Sequence, residues 1–185
     1  MSPPQAAGIA LLAFGVTEFT LRRGETAKSL KTTAADRGTT PLILASYLAV
    51  VILLFLPRLP GALLPAWMTW MGVVLAFAGL LFRWWAMTVL GRYYTRTLTT
   101  TQDQTVVTAS PYRWIRHPGY LGSLVTWLGA AAASGNLVVV ALIAAILLRA
   151  YARRISAEEV MLTQSLGAAY EEYRQRTWRL VPFVY

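Results

Sequence analysis

Residues 120–148 read YLGSLVTWLGAAAASGNLVVVALIAAILL. Two apolar runs, Tyr120 to Ala133 and Leu137 to Leu148, are separated only by Ser134, Gly135 and Asn136, and no charged residue interrupts either. A turn signal between two such runs predicts a helical hairpin that crosses a membrane and returns.

Three more apolar runs precede it. Gln5 to Leu21 is closed by Arg22 and Arg23; its seventeen residues rise about 25 Å as a helix, so a small extension at either end spans the hydrocarbon core. Pro41 to Leu56 opens on a proline suited to a first helical turn and ends at the helix-breaking LPRLPG. Ala66 to Leu90 carries Arg83 near its end, where a guanidinium can snorkel or line a cavity. Of the 185 residues, 56% are hydrophobic and only 14% charged, which excludes an ordinary soluble domain and predicts an integral membrane protein. The absence of Cys and the lone histidine exclude disulfides and a zinc site, so no metal is expected.

The formal charge of +9 has a membrane explanation. Arg22, Arg23, Lys28, Lys31 and Arg37 follow the first run. Arg92, Arg96, Arg113 and Arg116 precede the fourth, and Arg149, Arg153, Arg154, Arg174, Arg176 and Arg179 follow the fifth. The other connections carry only Arg58. That asymmetry predicts about five spans with both basic loops and the carboxyl terminus cytoplasmic, and makes nucleic acid a remote partner. The amino terminus lacks the n-region and cleavage pattern of a signal peptide and is read as a membrane segment.

After Leu148 helix formers continue, with Leu162, Leu166, Tyr170 and Tyr173 at steps of four and three. This amphipathic stripe predicts a helical cap folded back onto the membrane face. The closing WRLVPFVY suits an interface or a pocket wall, and the Thr-rich TRTLTTTQDQTVVT reads as a loop with local extended structure. The expected fold is therefore all-α and polytopic. Residues 1–185 form a single domain, with two helices in 1–60 and a third helix plus the functional core in 61–185.

Two constellations carry chemistry. In SPYRWIRHPGYLG, Pro118 forces His117 out of helical dihedrals, and a helix starting there offers free amides beside Tyr112, Arg113, Arg116 and Tyr120. The same residues also fit a basic aromatic membrane flank. In RRISAEEV, Arg154 and Glu158 share a helix face with Glu159 alongside. They fit either a grip on an acidic substrate and an amino-bearing cofactor or a solvated surface pair. Neither a G-x-G-x-x-G fingerprint after a strand nor a P-loop is present.

In this order, GRYY, VVTASPYRWIRHPGYLG, RRISAEEVMLTQSLGAAYEEY and LVPF resemble the isoprenylcysteine carboxyl methyltransferase family over roughly the second half of the chain. The resemblance implies carboxyl methylation of a lipophilic, isoprenylcysteine-like substrate with S-adenosyl-L-methionine, at a cytoplasmic pocket roofed by the helical cap. It places the cofactor on Gln104, Thr105, Val106, Val107, Tyr112, His117, Pro118, Gly119, Tyr120 and Glu158. It puts Arg154 on the substrate carboxylate, with Glu159 as the alternative carboxylate one position on. Arg154, Glu158 and Glu159 are thus the catalytic candidates. The chain departs from the family pattern at Gln104, usually His, at Ser110, usually Gly, and at Thr97, where some members have Gln. Three other readings share these residues: methylation of a phospholipid amine or another small nucleophile, a dinucleotide-dependent sterol-type reduction, and a non-enzymatic membrane scaffold. The oligomeric state is not legible.

Overall fold

The computed structural model describes residues 1–20, 36–55, 61–93 and 105–184, the side chains of residues 19, 20 and 92 excepted. Among the described residues six α-helices follow one another: α1 Pro3–Thr20, α2 Thr39–Phe55, α3 Ala66–Leu90, α4 Pro118–Ala133, α5 Leu137–Leu166 and α6 Ala168–Gln175. Among the described residues there is no strand, only the isolated bridges Leu63 with Asn136 and Ile115 with Trp178. One helix, α3, is by itself long and apolar enough to cross a membrane, and α2 is a shorter apolar helix.

Local chemistry sets the helix ends. Pro118 is the first residue of α4, and His117 before it takes φ −122° and ψ 55°, outside the helical region. Asn136 caps α5, accepting from the amides of Val138 at 2.9 Å and Val139 at 3.3 Å. The helix-turn-helix of the predicted hairpin is thus present, and its second helix runs on through the basic residues to Leu166. The amphipathic stripe is divided: Gly167, at φ 56°, ends α5 and begins α6. That conformation is open to glycine and strained for other residues.

α3 and α4 form the most extensive helix pair, because glycines let their backbones meet. A Cβ added at Gly79 would lie 2.5 Å from Thr126 N, and one at Gly72 would lie 2.7 Å from Ala133 N and Gly129 O. Neither obstacle is a flexible side-chain end, so the helices themselves must part. Gly79→Leu is expected to cost about 1–3 kcal/mol by overpacking, read as a lower thermal midpoint in nanodiscs; an unchanged midpoint would contradict this close approach.

α1 packs on α3 and α4, whereas α2 packs on α5. Phe14, Tyr47 and Trp127 bring three helices together, with Tyr47 stacked on Trp127 at 5.3 Å between centroids. Apolar side chains also cover the outside: Leu12 and Val16 on α1, Leu48 and Ile52 on α2, and Val74 and Leu81 on α3 are exposed. Water is a poor solvent for such a surface, and a bilayer a good one.

Candidate active site

One cavity of about 400 Å³ opens between the two groups of helices. At one end Leu11 and Phe14 of α1, Ile43 and Tyr47 of α2 and Trp127 of α4 make a mainly apolar wall. At the other, Thr105, Val106, Val107, Tyr112, His117, Gly119 and Tyr120 face Glu158, Met161, Leu162, Leu166, Tyr170 and Tyr173. The four stripe residues therefore all line one wall, despite the break at Gly167.

Arg154 and Glu158 meet between these ends through Tyr120. The Tyr120 hydroxyl donates to Glu158 Oε2 at 2.7 Å and accepts from Arg154 Nε at 3.3 Å. The guanidinium is anchored from the other side by Asp36, with Nη1 at 2.5 Å from Oδ1, and by the hydroxyls of Thr39 and Thr40 at 2.9 and 3.0 Å. Burial alone would raise the Asp36 pKa. The side-chain and backbone hydrogen bonds of Thr40, then the Arg154 charge, outweigh it and hold the carboxyl below its ordinary value. Arg154 is consequently a fixed cation on the cavity wall, only 4% exposed.

A second network holds the loop before α4 to the last residues described. Glu159 is buried, accepting from Arg116 Nε at 3.0 Å and Arg179 Nε at 3.0 Å, with His117 Nε2 at 3.3 Å. Arg116 also donates to the Thr177 carbonyl and, at 3.0 Å, to that of Arg174. Backbone pairing continues the attachment: Arg116 N donates to Trp178 O at 2.8 Å and His117 N to Arg179 O at 3.2 Å. From α6, the Tyr173 hydroxyl donates to Tyr112 O at 2.7 Å.

Burial opposes ionisation of Glu159, but the bonds from His117 and Arg179, the His117 charge and the Arg116 bond overcome it and set its pKa far below the ordinary value of 4.5. A carboxyl depressed on folding contributes stability that is fully present above its unfolded pKa and is lost as pH falls below it. Glu159→Gln is therefore expected to cost about 1–3 kcal/mol at neutral pH. The difference from the parent should shrink as pH falls below about 4.5. Thermal midpoints across pH check this, and a pH-independent difference would exclude an ionised Glu159 as the cause.

The predicted residues thus fall into three groups. Thr105, Val106, Val107, Tyr112, His117, Gly119, Tyr120, Arg154 and Glu158 line the cavity. Pro118 is fully buried at the start of α4, and Glu159 borders a separate depression with Ser156, Thr163 and Arg179, on the far side of α5. Gln104 and Thr97 lie outside the described residues, as does most of the Thr-rich stretch. Two features were missed. Asp36 is one, since nothing near it in the sequence signals a partner 118 positions on. Glu18, inside the first apolar run, is the other: it is the ion-pair partner of Arg83, which also donates to Gly119 O at 2.9 Å. Both residues line the cavity, with Gly119 at the start of α4.

The comparisons with known proteins point one way. Residues 70–164 match the profile of the isoprenylcysteine carboxyl methyltransferase family. Over 189 aligned positions the chain is 31% identical to the probable protein-S-isoprenylcysteine O-methyltransferase of Oryza sativa subsp. indica, covering 95% of this chain and 93% of that one. It is 32% identical over 145 positions to protein-S-isoprenylcysteine O-methyltransferase A of Arabidopsis thaliana, covering 77% of this chain and 71% of the relative. A solved structure of a eukaryotic intramembrane Ras methyltransferase of this kind superposes with a TM-score of 0.68. It covers all of this chain and 69% of its own at 19% identity, a likeness of fold.

Proposed function

The chain belongs to the isoprenylcysteine carboxyl methyltransferase family, and on that premise we propose that it methylates the carboxylate of an S-prenylated cysteine or a similar lipophilic acid. The observation that carries this reading is a cavity in which Arg154, Tyr120 and Glu158, joined by hydrogen bonds, share the lining with an apolar wall from α1, α2 and α4.

S-adenosylmethionine would supply a methyl group already activated on a sulfonium. The residues present fit it. Glu158 gives a carboxylate for its cationic groups, and the rings of Tyr112, Tyr170 and Tyr173 give surfaces for its base. The buried Tyr170 hydroxyl has no hydrogen-bond partner among the described residues, and burial holds it protonated as a donor. Thr105 to Val107, His117 and Gly119 would complete that side.

An ionised carboxylate is itself the nucleophile, so no strong general base is needed and catalysis reduces to alignment and exclusion of water. Arg154, fixed by Asp36, Thr39 and Thr40, would orient the acid. Tyr120 ties that cation to Glu158, so the acceptor and donor sides keep one spacing. The apolar walls of α1, α2 and α4 would hold the lipid and keep the local dielectric low, which strengthens both charge contacts. His117, engaged by Glu159, is a wall of the cofactor side in this scheme and not a proton carrier.

The exposed apolar faces support a polytopic arrangement of about five spans, and the distribution of basic residues supports a cytoplasmic cavity mouth and carboxyl terminus. Residues 1–185 act as one domain. Glu18, Thr40 and Tyr47, from the part before residue 60, line the same cavity as Arg154, which supports one domain over the whole range.

The test is a purified preparation in nanodiscs given labelled S-adenosylmethionine and an N-acylated S-prenylcysteine. Base-labile methyl ester is expected from the acid and none from its amide. Label passing to phospholipid amines and not to the acid would overturn the choice of acceptor.

A further inference from the structure

The loop before α4 and the last residues described carry aromatic side chains that the cavity does not use. Trp114, Trp178 and Phe183 are 58%, 40% and 86% exposed, and Val184 beside them is exposed as well. They are held together. Trp178 N donates to Trp114 O at 2.9 Å, and the rings of Trp178 and Phe183 lie 5.2 Å apart. The Arg113 guanidinium lies over the Trp114 ring at 5.1 Å. Packing against the loop leaves these rings outward, although Leu180 of the same segment is buried.

Their depth relative to the helices can be read from the register of α3 against α4. The Arg83 bond to Gly119 O sets that residue level with the first turn of α4, and the next two residues of α3, Trp84 and Trp85, are exposed. Trp67 and Trp70 are exposed at the other end of the same helix. Trp67 and Trp84 are seventeen positions apart, about 26 Å along a helix, close to the thickness of a hydrocarbon core. Tryptophans at both ends of such a helix mark the two membrane–water borders. Trp114 lies three residues before His117, hence near the border marked by Trp84 and Trp85. Aromatic rings flanked by an arginine are the chemistry of that layer: rings among the headgroups, the cation toward phosphate.

We propose that Trp114, Trp178 and Phe183 form an aromatic foot that enters the headgroup layer of the bilayer on the side of the cavity mouth, with Arg113 facing lipid phosphate. The occupant is lipid, because the patch continues a border that α3 already marks and carries a cation where headgroups present anions. Through the pairing of Trp178 and Arg179 with Arg116 and His117, the foot braces the loop that walls the cofactor side.

This inference rests on the membrane reading and is independent of the acceptor. The chain has no cysteine, so a single spin label can be placed cleanly. Val184→Cys leaves every aromatic ring intact, and Leu81→Cys, exposed on α3, reports whether the bundle is in the bilayer. In nanodiscs both labels should be more accessible to oxygen than to an aqueous nickel chelate. Adding Trp114→Ser and Phe183→Ser should move only the label at position 184 into water, with an unchanged helical circular-dichroism spectrum as the check on folding. A label at 184 that is aqueous in both backgrounds while position 81 stays in lipid would overturn the foot and leave the membrane reading standing. An aqueous label at 81 would overturn both. Nanodiscs of zwitterionic lipid and of zwitterionic plus anionic lipid separate the contributions: Arg113→Ala should abolish any deeper insertion seen with anionic lipid, and insertion that ignores both changes would remove Arg113 from the proposal.

Discussion

Arg154→Ala is expected to lower kcat/KM for the carboxylate acceptor by on the order of 100-fold or more, the worth of about two charge-assisted hydrogen bonds. It should also destabilise the protein by about 3–5 kcal/mol, the usual consequence of removing one partner of a buried ion pair. Both effects originate in one place. Asp36 is wholly buried, and its carboxyl keeps the Thr40 bonds but loses the guanidinium. A second substitution separates the effects. Asp36→Asn in the Arg154→Ala background removes the stranded charge and should recover about 1–3 kcal/mol of stability. It should restore no methylation if Arg154 grips the acceptor. Recovery of activity in the double variant would mean that Arg154 acts only by neutralising Asp36. Arg154→Lys keeps the charge and loses the planar fork, so stability should fall less than activity.

Glu158→Gln should leave the fold intact, since an amide oxygen can still accept from Tyr120, yet weaken S-adenosylhomocysteine binding by about 3–30-fold. That range is what a hydrogen bond to a charged group contributes over a neutral one. Calorimetric titration measures it, and equal affinity would remove Glu158 from the cofactor side. Tyr120→Phe should have a smaller effect alone. Because the hydroxyl links Glu158 to Arg154, the double variant Tyr120→Phe with Glu158→Gln should lose less than the sum of the two. Glu159→Gln offers the contrast: its loss should appear in stability and pH response before it appears in binding, because its bonds run to Arg116, His117 and Arg179.

The helices were legible because their signals are local. The Ser-Gly-Asn turn, Pro118 at a helix start and the apolar runs each act within a few residues, and all appear close to their predicted positions. The split at Gly167 was less legible, since an amphipathic period continues through it and only a positive φ reveals the stop. Among the candidate residues, those in the stretch from Tyr112 to Tyr120 were found from a motif whose order along the chain carries information of its own.

The sequence by itself determined the all-helical class, the hairpin, the residues of the cavity's polar end and the family to which they belong. Only the tertiary structure decided what each charge does. Glu158 and Glu159 are neighbours in sequence, but about 100° apart around a helix, so one lines the cavity with Tyr120 and the other locks the tail to the loop. Arg154 met Asp36, and Arg83 met Glu18, across 118 and 65 positions. Helical periodicity fixes which residues share a face. Which faces meet depends on how closely whole helices pack, and in this chain glycines on α3 and α4 set that distance.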